Sequence, residues 1–164
     1  MKLEYSFDGS KLLGTGGALK QALPKLGESF YVLYGDSYLT EPFVPVAEFF
    51  LRSGKPGCMT VFRNEGEHDT SNVVFADGVI QIYDKKRSLP EMRHIDYGLS
   101  LFLSSAFDEW PADQHFDLAD VMTRLVERGQ MAGLEVKDRF HEIGSHAGLA
   151  ELESILARRI RSGE

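Results

Sequence analysis

Leu12-Leu13-Gly14-Thr15-Gly16-Gly17-Ala18-Leu19-Lys20, then a short helical stretch, then Ser29-Phe30-Tyr31-Val32-Leu33-Tyr34-Gly35-Asp36-Ser37, decides what fold this chain can adopt. The order is a glycine-rich turn, a helix, and an apolar strand ending in an acidic residue. Gly14, Gly16 and Gly17 lack Cβ atoms at a helix N-terminus, so the spacing predicts uncovered backbone N–H groups that a flat base or a phosphate can approach. Phe30 to Tyr34 has the composition of a central strand buried on both faces. Asp36 then falls just beyond the strand's C-terminal end, where open α/β sheets place their ligands. One carboxylate there, beside a phosphate-friendly loop, suggests a hard divalent cation such as Mg²⁺. As spacing alone, Gly-Thr-Gly-Gly is equally a tight turn into a helix, and Gly-Asp-Ser equally a strand-end turn.

The rest of the composition fits one ordinary domain. At 164 residues the chain can bury a substantial core. A formal net charge of −7 argues against general nucleic-acid binding and against an anionic membrane surface. A small phosphorylated ligand needs only local positive potential. The single cysteine, Cys58, excludes an intrachain disulfide and a cysteine-based zinc site, and reads as a small buried hydrophobe. No apolar run reaches the length of a signal peptide or a membrane span, so the expected setting is cytoplasmic.

Along the chain, Lys2 to Phe7 alternates weakly and predicts a short strand ending at Asp8-Gly9. A helix is expected over 16–26, a strand over 30–35, a helix over 44–51 and a strand over 58–63. Residues 64–70 read as a polar loop. Val73-Val74-Phe75 and Val79 to Tyr83 flank Asp77-Gly78, a hairpin signal. Residues 95–103 form another apolar run interrupted by Gly98, and glycine within a strand marks a close approach by ligand or backbone. A helix follows over 116–128, with short strands over 133–136 and 139–143. Ser145 is the expected N-cap of a final helix over 147–160. Alternating strands and helices define an α/β layered domain. The histidines His68, His94, His115, His141 and His146 show no metal-ligand spacing.

These residues resemble the sugar-1-phosphate nucleotidyltransferases, and within them a guanylyltransferase-like branch acting on mannose- or heptose-type sugar phosphates. The resemblance rests on Leu13 to Leu19 and Phe30 to Ser37. It extends through Ile82-Tyr83-Asp84-Lys85, Asp96-Tyr97-Gly98 and Phe140-His141-Glu142-Ile143-Gly144-Ser145. It implies a three-layer, Rossmann-like nucleotidyltransferase fold with a mixed, mostly parallel sheet flanked by helices. The implied chemistry is in-line attack of a sugar-1-phosphate oxygen on the α-phosphorus of a nucleoside triphosphate, with loss of pyrophosphate. Such chemistry is mostly positioning and charge neutralisation. By resemblance, Gly14, Thr15, Gly16 and Gly17 would hold the base edge, and Asp36 and Glu142 a Mg²⁺ ion. Lys85 would meet the sugar phosphate, and Asp84, Asp96 and Gly98 would form the sugar site.

Three departures from the family pattern accompany the match. Glu142 stands where Asp is commoner and Asp84 where Glu is usual. The family's first strand, its Gly-Gly-x-Gly-Thr-Arg loop and the Pro-Lys motif have no counterpart, so residues 1–164 are expected to be a partial, N-terminally truncated domain. Expected consequences are little or no transferase activity from this chain alone, and pairing of Val32, Tyr34 and the Leu3–Phe7 strand with a second copy. The competing expectation is a binding module without turnover. An unrelated dinucleotide-binding domain is disfavoured, because the glycine motif precedes the strand instead of following it.

Overall fold

The computed structural model describes residues 2–64 and 70–162. In chain order the elements are α1 (Gly14–Ala22), β1 (Ser29–Leu33), β2 (Ser37–Tyr38), α2 (Phe43–Ser53), β3 (Gly57–Arg63), β4 (Val73–Ala76) and β5 (Val79–Tyr83). They continue with β6 (His94–Leu103), α3 (Leu118–Glu127), β7 (Met131–Val136), β8 (His141–Glu142) and α4 (His146–Ser162). The expected loop over 64–70, and His68 within it, lie largely outside the described residues.

The main sheet runs β5-β4-β6-β3-β7, with β1 also paired to β6, and a separate ribbon joins β2 to β8. Its strands alternate two sets of side chains. Met59, Val61 and Phe102 face a cluster completed by Phe107, Phe116, Leu118, Val121, Met122 and Leu125, under α1 and α3. Cys58, Tyr97, Leu99 and Leu101 face the other way, against Val46 and Phe50 of α2. This period-two division gives the three expected layers. Burial of each large apolar side chain here is worth about 1.5–3 kcal/mol.

Two expectations about the sheet are corrected. It is mixed but not mostly parallel: β3–β7 is parallel, whereas β1–β6, β3–β6, β4–β5 and β4–β6 are antiparallel. The β4–β5 hairpin forces one reversal, and β6 runs against β1, β3 and β4 alike. The strand buried on both faces is β6, fully buried from His94 to Phe102, not the Phe30–Tyr34 run. Among the described residues β1 pairs only with β6, and Tyr31 and Leu33 are 37% and 42% exposed.

The predicted Lys2–Phe7 strand is also absent. Residues 2–7 form no regular element and lie beside α1 and the turn that follows it, where Gln21 Nε2 donates to the Phe7 carbonyl at 2.7 Å and Lys25 Nζ donates to that of Tyr5. Leu3, Tyr5 and Phe7 point outward. An alternating run without a partner strand gains no ladder hydrogen bonds and has no reason to extend further.

Elsewhere the local chemistry matches its sequence signals. Asp77 and Gly78 take φ of 52° and 76°, the left-handed pair that a two-residue hairpin requires. A capping box of Asp117 and Asp120 starts α3. One irregularity positions the site. Met59 pairs with Ser100 and Val61 with Asp96, so Tyr97, Gly98 and Leu99 together stand opposite Thr60. Thr60 Oγ1 donates to the Leu99 carbonyl at 2.6 Å across this bulge. Gly98, at φ +87°, is its pivot.

Candidate active site

A cleft of about 570 Å³ opens beyond the C-terminal end of β1, between the end of the β4–β5 hairpin and the β2–β8 ribbon. The chain reverses direction at Tyr34-Gly35-Asp36. Ser37 then pairs with Glu142 across the ribbon, and Ile143 N donates to the Asp36 carbonyl at 2.7 Å. Two acidic residues far apart in sequence thereby become neighbours. Ser145 Oγ donates to Glu142 Oε2 at 2.8 Å and accepts from Gly148 N at 3.1 Å, capping α4 as expected while orienting the carboxylate. Gly144 leaves the space between the acids open. A Cβ there would lie 2.6 Å from Glu142 Oε1 and 3.7 Å from Asp36 Oδ2.

On the opposite wall, Asp84 folds its carboxylate back into its own turn. Oδ1 accepts from the Lys86 and Arg87 N–H groups at 2.8 and 3.0 Å, and Oδ2 from Arg87 Nε at 2.7 Å. The Arg87 hydrogen bond, followed by that from Lys86 N, holds the Asp84 carboxyl below its usual range. This turn sets the direction of Lys85. Its Nζ donates to Tyr34 Oη at 3.3 Å, lies 3.6 Å from Asp96 Oδ2, and stands 4.8 Å from the centre of the Tyr34 ring. Burial works against the Lys85 ammonium, but Asp96 and then Tyr34 outweigh it, and the pKa ends above the ordinary lysine value. For Tyr34, burial and then Asp96 push the phenol up, so both partners keep their ordinary protonation at neutral pH.

Asp96 lies beneath this surface, its side chain 3% exposed. Tyr83 Oη donates to Oδ2 at 3.1 Å, Gly98 N donates to Oδ1 at 3.1 Å, and Asp96 N donates to Asn72 Oδ1 at 3.0 Å. Gly98 is needed for its backbone angle more than for space. A Cβ there would meet Tyr34 Cδ2 at 3.5 Å and Ser37 Oγ at 3.6 Å, ordinary contacts.

Asp36, Asp84, Lys85, Asp96, Gly98 and Glu142 thus line one cleft, whereas Gly14, Thr15, Gly16 and Gly17 stand apart from it. The premise of uncovered N–H groups is corrected for two of the glycines. Gly16 N and Gly17 N donate to the Phe116 carbonyl at 3.0 and 3.2 Å, and Thr15 Oγ1 accepts from Leu118 N at 2.9 Å. The motif lets α1 lie hard against the start of α3. Tyr34, Asn72 and Tyr83 join the site although none was an expected site residue, Tyr34 having been expected at a pairing surface. For Tyr83 strand alternation gives no signal: counted from buried Ile80 it would face outward, and the β4–β5 register shift between Ile80 and Ile82 turns it inward.

Among the described residues no group of three or more His, Cys, Asp or Glu is arranged to hold a metal ion. Two carboxylates on an open cradle do fit Mg²⁺, which keeps several waters and takes the remaining oxygens from substrate phosphates. The donor set is all oxygen, and Gly144 preserves the space it needs.

No protein-family model matches the chain. The chain is 31% identical over 169 aligned residues to the bifunctional protein GlmU of Burkholderia orbicola (strain AU 1054), covering 90% of this chain and 36% of that one. It is 26% identical to the mannose-1-phosphate guanyltransferase beta-A of Xenopus laevis, covering 80% and 38%. The chain therefore spans little more than a third of the curated relatives it matches. Among solved structures it superposes on a Bacillus anthracis protein assigned as a glucose-1-phosphate thymidylyltransferase. The TM-score is 0.75 at 17% identity, over 87% of this chain and 60% of that one, a likeness of fold. Sequence relationship and fold agree in likening the chain to the sugar-1-phosphate nucleotidyltransferases.

Proposed function

We propose that this chain provides the sugar-phosphate and metal half of a nucleotidyltransferase site, with residues 1–164 forming part of one such domain. The reaction is transfer of a nucleotidyl group from a nucleoside triphosphate to a sugar 1-phosphate, releasing pyrophosphate. The supporting observation is the convergence of Asp36, Glu142 and Lys85 on one cleft floored by Gly98. The mannose-1-phosphate guanyltransferase named among the relatives supports GTP and a mannose-type sugar, and a heptose-type sugar rests on the resemblance of the sequence motifs alone.

In this reading Lys85 contacts the sugar phosphate, held protonated by Asp96 and Tyr34. Asp84, Asp96 and Gly98 shape the sugar pocket, and Gly14, Thr15, Gly16 and Gly17 form the shelf on the nucleotide side. Asp36 and Glu142 would hold Mg²⁺, which when bound neutralises phosphate charge. The expected location is cytoplasmic. Among the described residues no helix is long and apolar enough to cross a membrane.

The second reading is binding without turnover by this chain alone, completed by a partner or second copy. The outer edge of β1 favours it, because Tyr31 and Leu33 are exposed beside an edge that no other strand of the described residues pairs. Calorimetric titration with mannose 1-phosphate, with and without Mg²⁺, run beside a pyrophosphate-release assay with GTP, separates the readings. Turnover lost in Asp36→Asn supports the enzyme, and binding without turnover supports the module. Neither binding nor turnover with any of the five common nucleotides and mannose, heptose or glucose 1-phosphates would refute both.

A further inference from the structure

Asp96 occupies a sugar-contact position by resemblance, yet its carboxylate is spent inside the protein. Oδ1 accepts from Gly98 N at 3.1 Å, while Oδ2 accepts from Tyr83 Oη at 3.1 Å and faces Lys85 Nζ at 3.6 Å. With its side chain 3% exposed, it offers little surface to a ligand lying in the cleft. A buried carboxylate is costly unless its lone pairs are satisfied, and here two neutral donors and one cation satisfy them. The consequence falls on Lys85. Its side chain is 39% exposed and sits in the Asp84–Arg87 turn after β5, where an ammonium would ordinarily sample many rotamers. It is instead anchored from two directions, by Asp96 below and by the Tyr34 hydroxyl beside it. An ammonium has three N–H donors. One is directed at Tyr34, and the charge is held by Asp96 at ion-pair distance, which leaves N–H groups to face the cleft.

We propose that Asp96 is a positioning residue: resting on the function proposed above, it fixes the Lys85 ammonium where it faces the phosphate of the ligand, and it does not itself contact the sugar. The proposal fixes the sign of a substitution effect. Removing a negative charge near an anion site ordinarily tightens anion binding. A positioning carboxylate does the opposite, because the released lysine must be re-ordered at each binding event.

The test compares wild type with Asp96→Asn, whose amide oxygen can still accept from Gly98 N. Two probes are titrated calorimetrically, inorganic phosphate and mannose 1-phosphate, and the Lys85 ε-methylene is titrated by NMR in the ligand-free protein. The expected result is weaker binding of both probes by a similar factor, about tenfold, together with a Lys85 pKa that falls because burial persists and its counter-charge is gone. Three results overturn the proposal: tighter or unchanged phosphate binding, loss confined to mannose 1-phosphate (which would make Asp96 a sugar ligand), or an unmoved Lys85 titration. If Asp96→Asn does not fold, Asp96→Glu keeps the charge but displaces it. Phosphate binding must then still weaken while Lys85 stays raised, and unchanged binding overturns the proposal. Failure of wild type to bind either probe refutes the function proposed above, whereas the Lys85 titration in ligand-free protein still decides whether Asp96 anchors the ammonium.

Discussion

Gly16→Ala tests whether the glycine motif is built for close packing. A Cβ on Gly16 would lie 2.5 and 2.6 Å from Phe116 Cδ2 and Cε2, and 2.9 Å from the Asp117 carbonyl carbon. Carbon atoms normally rest about 3.5–4 Å apart, so roughly 1 Å must be found by moving the ring or by separating α1 from α3. The ring is held on its other side by Trp110, stacked at 4.7 Å between centroids. Separation would stretch the bonds from Gly16 N and Gly17 N to Phe116 O, and that from Leu118 N to Thr15 Oγ1. Overpacking costs about 1–3 kcal/mol and weakened hydrogen bonds about 1 kcal/mol. Alanine in a helix returns about 1 kcal/mol relative to glycine. The net is a loss of about 2 kcal/mol, or about 4–8 °C in Tm for a chain of this size. Urea unfolding followed by fluorescence of Trp110, the sole tryptophan, measures it. Gly27→Ala is the control, since its Cβ would meet only Ser29 O at 3.6 Å, and it should lie within about 0.5 kcal/mol of wild type. If Gly16→Ala is as stable as Gly27→Ala, the packing argument is wrong.

Asp117→Ala removes half of the capping box of α3 and should cost about 1 kcal/mol in the same urea titration, with an unchanged midpoint counting against the cap. The Cys58 thiol is fully buried, which pushes its pKa up to about 12. A disulfide reagent at pH 8 should therefore label it far more slowly in native protein than in urea, and equal rates would contradict its burial. The Asp84 turn has a folded pKa below the unfolded value of 3.8. Its contribution is therefore complete above the unfolded value and is lost as pH falls through the folded one. The Lys86 and Arg87 amide resonances should shift across that acid window in wild type and not in Asp84→Asn. Phe102→Ala, at 0% exposure between β1 and β3, should cost about 3–5 kcal/mol, and a loss under 1 kcal/mol would mean that the core there repacks.

Much of the local structure was legible because single residues dictate it. Asp77-Gly78 specifies a turn whose twist only left-handed angles satisfy, and Gly54, at φ +63°, is the left-handed cap that ends α2 just beyond the expected 44–51 helix. What could not be read was where each strand lies in the sheet. Phe30 to Tyr34 has the composition of a central strand. Its place at the side of β6 depends on which other strands claim β6's two edges, a property of the whole topology. The same holds within the site. Asp36, Lys85 and Glu142 could be chosen from residue type and position, but the inward turn of Asp96 follows from the bulge at Tyr97 to Leu99. That bulge exists only once β3 and β6 are in register. The glycine motif was legible as a motif but not as an interface, because Phe116 lies far along the chain.

The β2–β8 ribbon is only two residue pairs long, tied down further by Ile143 N on Asp36 O. Everything after it, including α4, continues from that short ladder and not from the main sheet. Segments secured by few backbone hydrogen bonds open at lower free energy than the sheet that carries them. In native-state hydrogen exchange, the amides of Glu142, Ile143 and the first turn of α4 should therefore exchange through a sub-global opening while β3 and β6 stay protected. Each such opening separates Glu142 from Asp36. A cation bridging the pair would slow exchange there selectively, making that segment's protection a reporter of metal occupancy that requires no catalytic turnover.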